Sequence, residues 1–501
     1  KINRNSIETI KQEFNFSEIT SRLIVSRNFD INEIFSIENK SEISNIFKND
    51  KDFIKASLIL EQCINNKELI CIFGDYDVDG TASTSLLAKF FDHIKHPYFF
   101  YIPDREHDGY GPSIMLFNKL ILKNPKLIIM VDCGSTSIKE VDYLNKHNIK
   151  SIIIDHHEIN KPYPKSNVII NPKKDITYSL KNYFCATTLT YFFLDIVIKK
   201  TKSSFNLSKY LIYVLLAIIC DVMPLRKINR SIALNLISDF KIKNNIVFKT
   251  LYELSEKKNI LTIEDLGFFI GPIINSGGRL SNSIISANLL ISNNLLIVKD
   301  LSKKLIKLNN KRKKIEEHIL NQINFELIEK QNKDIIVYYS PDINEGIIGI
   351  VASRLKDYFN KPSIVITNSK NILKGSARST THYNIGNIIK KLIDKEIVIN
   401  GGGHNMAAGF TLKKSKLDVL ENYILNDYAI KNKNLITSNI YDAEISNSAI
   451  NQNFNNEINK LQPFGNENPK PIFLIKNLRI SKVAVFKNKH ISIILKPKVG
   501  R

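Results

Sequence analysis

Asp155, His156 and His157 follow directly on the apolar run Ser151-Ile152-Ile153-Ile154. Two imidazoles beside a carboxylate can ligate a metal through one ring and meet a substrate anion with the other. Alone, the tripeptide also reads as a strand running into a polar turn. The arrangement recurs, however. Leu69-Ile70-Cys71-Ile72-Phe73 leads into Gly74-Asp75-Tyr76-Asp77-Val78-Asp79-Gly80, Lys126 to Val131 leads into Asp132, and the apolar segment Leu211 to Cys220 leads into Asp221. Repetition at this frequency favours chemistry over solvated turns. Asp77, Asp79, Asp132, His156 and Asp221 make an oxygen-rich set with one imidazole, which suits Mn²⁺ or Mg²⁺ better than zinc. The set holds more carboxylates than one divalent ion needs, so a pair of ions sharing a bridging carboxylate is expected. Ions about 3.5–4 Å apart activate a water and stabilise both oxygens of a phosphoryl displacement. The expected reaction is phosphodiester hydrolysis.

The elements that must carry these side chains read as a parallel α/β fold, in which chemistry gathers past the carboxyl ends of the strands. The acids of Asp75-Tyr76-Asp77-Val78-Asp79 alternate, and point one way while the backbone stays extended. A helical segment follows from Ala82 to about His93, then a strand from Tyr98 to Ile102 and a polar, glycine-bearing loop to Gly111. Residues before about Asn66 show helical periodicity without a chemical signature. The spacing of Leu301, Leu305, Leu308, Ile315, Ile319, Ile323 and Leu327 predicts one uninterrupted helix from about Lys299 to Lys330, roughly 45 Å long at 1.5 Å per residue. A second α/β unit begins near Asp334 with a strand from Ile335 to Tyr339. It carries three features able to meet phosphate: Gly346 to Arg354, opening a helix with small residues; Lys374 to Ser379, pairing a hydroxyl with a guanidinium; and Gly401 to Gly409, a glycine run able to form an anion nest. Each alone also reads as a tight structural turn. From about Ile440 short alternating segments predict a β-rich module.

The 501 residues allow two or three domains. Hydrophobic residues at 43% and charged residues at 24% are ordinary for a globular protein, and no apolar run approaches the ~20 residues that span a bilayer. A formal net charge of +22 favours a polyanionic partner, nucleic acid before membrane. A composition crowded with Lys, Asn, Ile, Phe and Tyr and lacking Trp is also what an AT-rich genome would encode, so charge is weak support by itself. The five cysteines are scattered and form no Cys-x-x-Cys pair, which excludes a zinc ribbon and points to a reducing compartment. Cys133 and Cys220 adjoin acids but read as buried packing residues. The sequence starts at Lys1 rather than Met, so its first residues are expected to have been trimmed.

Gly74 to Gly80, Val131-Asp132-Cys133-Gly134 and Asp155-His156-His157 resemble the motifs of the DHH phosphoesterase superfamily. Tyr101 to Gly111 and Gly271-Pro272-Ile273-Ile274-Asn275-Ser276-Gly277-Gly278-Arg279-Leu280 narrow the resemblance to the RecJ family, from about residue 20 to the end. The resemblance implies a 5′→3′ exonuclease for single-stranded DNA in repair and recombination, working as a monomer in the bacterial cytoplasm, with single-strand-binding protein and a helicase as partners. It implies Asp77, Asp79, Asp132, His156 and Asp221 as ligands of two Mn²⁺ or Mg²⁺ ions, with Asp132 bridging. His157, Asp132 and Asp75 would be catalytic, His157 meeting the scissile phosphate, with Asp155 orienting its neighbours. Arg354, Ser376, Arg378 and His404 would contact the DNA backbone, and Arg105 and Arg279 would hold the 5′ end. The implied organisation is a helical lead-in (1–66), a DHH domain (67–298), a connecting helix (299–330), a DHH-associated nucleic-acid-binding domain (331–438) and a partial OB-like module (439–501). The chain departs from the family pattern at Cys133, Asn344, Ala377 and Ala186-Thr187-Thr188. A compact DHH hydrolase for short substrates fits the long insertion after His157 poorly, and a non-catalytic scaffold fits the retained ligand set poorly.

Overall fold

The apolar runs ahead of the acids become strands of one parallel sheet in a computed structural model, which describes residues 3–39, 42–105, 107–109, 111–175, 177–258, 260–431, 441–486 and 490–497. Its strands are β1 (Ile70–Gly74), β2 (Tyr98–Tyr101), β3 (Leu127–Val131), β4 (Lys150–Ile154) and β5 (Val168–Ile170), in the order β2-β1-β3-β4-β5. All four pairings are parallel. Successive side chains of a strand face opposite ways, and both faces are buried. Ile70, Ile72, Ile129, Ile152 and Ile154 pack under the helices Val78–His93, Ala186–Thr201 and Leu211–Cys220. Cys71, Phe73, Ile128, Met130 and Ile153 pack on the helices Ile114–Ile121 and Ile138–Lys146. With both faces covered, the carboxyl-terminal edge is where polar groups from several strands can meet.

A second sheet contains β6 (Ile336–Tyr339), β7 (Ser363–Ser369), β8 (Ile372–Arg378), β9 (Asn400–His404) and β10 (Ala407–Leu412), ordered β6-β7-β8-β10-β9. Only β6 and β7 run parallel; the other pairings are antiparallel. The sheets are joined by the helix Leu295–Gln322, whose Leu305 lies in the first core and Ile319 in the second. Its 28 residues span about 42 Å. The predicted uninterrupted helix does not hold. Ile323 is extended, Asn324 accepts the Leu327 N–H at 2.9 Å as a new N-cap, and a separate helix runs Phe325–Lys330. An Asn side chain that bonds nearby backbone competes with helix continuation, a signal that apolar spacing does not register.

The C-terminal module opens with a short parallel pair, β11 (Ala443–Glu444) and β12 (Phe473–Leu474), with the helix Gln452–Asn459 between them. A hairpin of β13 (Leu478–Phe486) and β14 (His490–Pro497) follows. The module is thus less purely β than expected. Ile458 and Leu461 share a core with Phe16, Leu23 and Ile24 of the N-terminal helices, so the two ends of the chain pack together. Among the described residues no helix is long and apolar enough to cross a membrane. Glu106, Tyr110 and the 438/439 boundary lie outside the described residues.

Candidate metal centre

Each acid is delivered by the end of a buried element. Asp75 follows β1. Asp77 is the N-cap of the Val78–His93 helix, accepting the Gly80 N–H at 3.1 Å, and Asp79 lies in its first turn. The helix starts four residues earlier than expected, so the three acids are not alternate positions of an extended chain. Gly80 permits this early turn, because a Cβ there would sit 2.6 Å from the Asp75 backbone nitrogen. Asp132 follows β3 with φ of 62°, a left-handed conformation that Asp tolerates better than most residues; its N–H donates to the Ile154 carbonyl at 2.9 Å, tying it to β4. Asp155, His156 and His157 follow β4. Asp221 corrects a second expectation: Leu211–Cys220 is a helix and Asp221 its C-cap, so this acid does not stand at a strand end. A ten-residue apolar run is compatible with a buried helix or a buried strand by periodicity alone.

The side chains converge on two adjoining places. Asp79, His156 and Asp221 offer ligand atoms within 4.8 Å of one another, as do Asp132, His156 and His157, and again Asp75, Asp77 and Asp132. His156 Nε2 lies 3.3 Å from Asp132 Oδ1, 3.4 Å from Asp221 Oδ2 and 3.6 Å from Asp79 Oδ2. Asp132 belongs to the group with Asp75 and Asp77, His156 to the group with Asp79 and Asp221, and the two meet in the third group, so this pair links the two sides. Asp75 and Asp77 serve one side and Asp79 and Asp221 the other, a split that follows from the helix turning Asp79 away from its neighbours.

The donor set fits hard divalent cations. Asp75 Oδ1, Asp132 Oδ1 and Asp221 Oδ2 are buried carboxylate oxygens with no hydrogen-bond donor, an arrangement costly in a native interior unless a cation satisfies them. Burial, then the Asp77 charge, pushes the Asp75 carboxyl up to about 8. Burial and the surrounding aspartates hold Asp132 and Asp221 well above the carboxylate range. Burial, then the neighbouring His157, pushes His156 down to about 3, leaving a neutral ring able to ligate. His157 differs. Burial opposes its charge, but Asp155, 2.8 Å from Nδ1, outweighs it and pushes His157 up to about 9. Asp155 also accepts the N–H groups of His156, His157 and Ser135 at 2.8, 3.2 and 3.0 Å, fixing the turn that aims both rings.

Beside the acids lies a cluster of arginines. Arg105 stacks 4.2 Å over the Tyr76 ring, between Asp75 and Asp77 in sequence. Burial, then Arg105, Arg378 and Arg312, pushes Arg279 down to about 9. Ser376 and Arg378 project from β8, with the guanidinium donating to the Ser376 hydroxyl at 3.4 Å. Among the described residues the arginine ion pairs are Arg226–Glu33, Arg312–Glu316 and Arg354–Glu316, so Arg105, Arg279 and Arg378 are not matched by a carboxylate. Like charges held together without counter-charge make an anion site. Arg354 does not join it: its Nε donates to Glu316 of the Leu295–Gln322 helix at 2.7 Å. His404 is brought to the metal side, its ring stacked on His157 with centroids 5.8 Å apart.

Two phosphate features of the second unit change character. Gly401 to Gly403 form the edge strand β9, extended rather than curled into a nest. Gly346 admits the chain of Arg279. A Cβ there would sit 2.1 Å from the Arg279 carbonyl, while the Arg279 side chain donates to the Gly346 carbonyl at 2.9 Å. Sequence reasoning also missed Thr187, whose backbone N–H and hydroxyl bind Asp79 at 2.8 and 2.6 Å, and Arg312, hidden within a basic helical run. Thr187 carried a trace of signal, as a polar residue in a stretch that departs from the family pattern.

The DHH family, N-terminal domain model matches residues 69–218, the DHHA1 domain model residues 332–426 and the RecJ OB domain model residues 441–499. The chain is 29% identical over 491 residues to the single-stranded-DNA-specific exonuclease RecJ of Bacillus subtilis, covering 96% of this chain and 61% of that protein. It is 28% identical over 468 residues to the Haemophilus influenzae protein of the same name, covering 89% and 81%. The chain thus spans less than two thirds of the Bacillus relative's length. The crystal structure of RecJ in complex with Mn²⁺ from Thermus thermophilus superposes with a TM-score of 0.83 at 20% identity, covering 100% of this chain and 73% of that one, which establishes the shared fold. Three consecutive domain matches in one order, relatives along nearly the whole chain and a common fold agree: the chain carries a DHH domain, a DHHA1 domain and a RecJ OB domain, and it is similar to RecJ along nearly its whole length.

Proposed function

We propose that the chain is a Mn²⁺- or Mg²⁺-dependent exonuclease that degrades single-stranded DNA from the 5′ end to mononucleotides, in DNA repair and recombination. The observation that carries this reading is the juxtaposition of orphaned buried carboxylate oxygens with arginines that no carboxylate matches. The first calls for divalent cations and the second for a phosphate, and Tyr76 joins the two. The names of the relatives, single-stranded-DNA-specific exonucleases, agree with that chemistry.

Asp77, Asp79, Asp132, His156 and Asp221 would hold two ions, with Asp132 shared; bound there, the ions supply the Lewis acidity that phosphodiester hydrolysis needs. Arg105, Arg279, Ser376 and Arg378 bind a terminal phosphate and so set the register of the strand. Asp155 keeps His157 protonated, placing an imidazolium where negative charge grows on the scissile phosphate. His404, stacked on His157, closes the site from the second sheet. Asp75, grouped with Asp77 and Asp132, would add a carboxylate to that side of the cluster and orient an attacking water there. The reading is tested by incubating the protein with Mn²⁺ and end-labelled single-stranded DNA, duplex DNA and a dinucleotide. Mononucleotides released from the 5′ end of single strands are the expected result; digestion of the dinucleotide alone overturns it in favour of a short-substrate hydrolase.

A further inference from the structure

We propose that Thr187 is a positioning residue that fixes Asp79 as a one-oxygen metal ligand. The inference rests on the metal-centre reading above. The helix Ala186–Thr201 begins at Cys185, which makes no side-chain cap. The first N–H groups of a helix need acceptors, and a carboxylate from another helix supplies them. Asp79 Oδ2 accepts the Ala186 N–H at 2.7 Å and Oδ1 accepts the Thr187 N–H at 2.8 Å. The Thr187 hydroxyl adds a third bond to Oδ1, at 2.6 Å. Ser83 Oγ lies 3.0 Å from that hydroxyl oxygen, and Thr187, Ser83 and Asp79 are all buried.

The hydroxyl has one proton and two acceptors in reach, Asp79 Oδ1 and the Asp79 carbonyl at 2.9 Å. A Ser83 hydroxyl donating to Thr187 leaves the Thr187 proton for one of them, and the shorter contact is with Oδ1. Two donors on Oδ1 against one on Oδ2 make the oxygens unequal. Oδ1 is saturated, whereas Oδ2, 3.6 Å from His156 Nε2, remains the one able to bind an ion shared with His156 and Asp221. The chain Ser83–Thr187–Asp79 thus selects the oxygen and the angle presented to the metal, as outer partners of ligating carboxylates do.

The test is a Mn²⁺ titration of the full chain, followed by the EPR signal of the free ion, with urea unfolding of each variant in EDTA. Thr187→Val keeps the shape and removes the hydroxyl. The expected result is a roughly 10- to 100-fold loss of Mn²⁺ affinity, with Thr187→Ser restoring wild-type binding. Ser83→Ala, which removes the donor that orients and polarises the Thr187 hydroxyl, is expected to show a smaller loss in the same direction; it carries the test if Thr187→Val does not fold. A role in packing alone would shift the urea midpoint and leave affinity in place. Wild-type affinity in Thr187→Val and Ser83→Ala, or a Thr187→Ser variant as weak as Thr187→Val, overturns the inference. Failure of the wild-type protein to bind Mn²⁺ overturns the metal-centre reading instead.

Discussion

Asp132 sits where charge is hardest to keep: buried, left-handed in φ, and surrounded by Asp79, Asp77, Asp75 and Asp221. Without a cation, that repulsion makes the folded state hold protons the unfolded chain would release. The consequence has a defined sign. Asp75 has its folded value raised to about 8 and His157 to about 9; the unfolded values are 3.8 and 6.5. Both groups then stabilise the fold at lower pH, and that stability is lost as pH rises. In EDTA the urea midpoint is expected to fall between pH 6.5 and 8; with saturating Mn²⁺, which replaces the protons on the acids, the fall should flatten or reverse. A flat profile in EDTA would contradict the picture of crowded acids. The identity of these acids was legible from their repetition after apolar runs. Their division between two sides was not, because it depends on the helix starting at Val78, where Val-Asp-Gly carries no strong helix signal. Thr187 was out of reach for another reason: its partner is 108 residues away, and only the fold brings them together.

Elements from both sheets reach the site, and the Leu295–Gln322 helix sets their spacing. Glu316, on that helix and nearly buried, receives Arg312 from its own helix at 2.8 Å and Arg354 from the Ile348–Phe359 helix at 2.7 Å. Removing it leaves two guanidiniums uncompensated, though Arg354 is largely exposed and water offsets part of the loss. Glu316→Ala is expected to cost about 1–2 kcal/mol in urea unfolding and to weaken strand binding by loosening the second sheet over the first. A variant with wild-type stability would remove Glu316 from this role. The parallel sheet was readable because strands buried on both faces leave continuous Ile and Val runs. Leu211–Cys220 defeated the same logic, since a buried helix leaves the same trace. The glycines of β9 misled in the opposite direction: their value is a thin edge strand beside the Ile385–Asp394 helix, whose Gly386 would clash with the His404 carbonyl if it carried a Cβ.

At the scale of the whole molecule, the acid cluster on the first sheet lies beside the arginines proposed to bind phosphate, Arg105 and Arg279 from the first unit and Arg378 from β8. A net charge of +22 spreads general attraction for a polyanion over the surface, but the arginine site should make a separable contribution. Arg378→Ala is expected to lower the log–log salt slope of single-strand binding in EDTA by roughly 0.7, the share of one phosphate contact on a single strand. An unchanged slope would place the phosphate elsewhere. The order of domains was visible in the sequence because each unit carries its own motifs. The packing of the N-terminal helices on the C-terminal module was not, because the contact joins residues more than 400 positions apart, as in Thr20 with Glu457. Asp132 and His156, the pair that links the two groups of acids, are proposed to stand between two ion sites. Titration of the metal-free protein with Mn²⁺, followed by low-temperature EPR, separates one ion site from two. Two ions per chain with the spectrum of an exchange-coupled pair, lost together in Asp132→Asn, are expected. A single ion, or two uncoupled ions that survive that substitution, would contradict that placement.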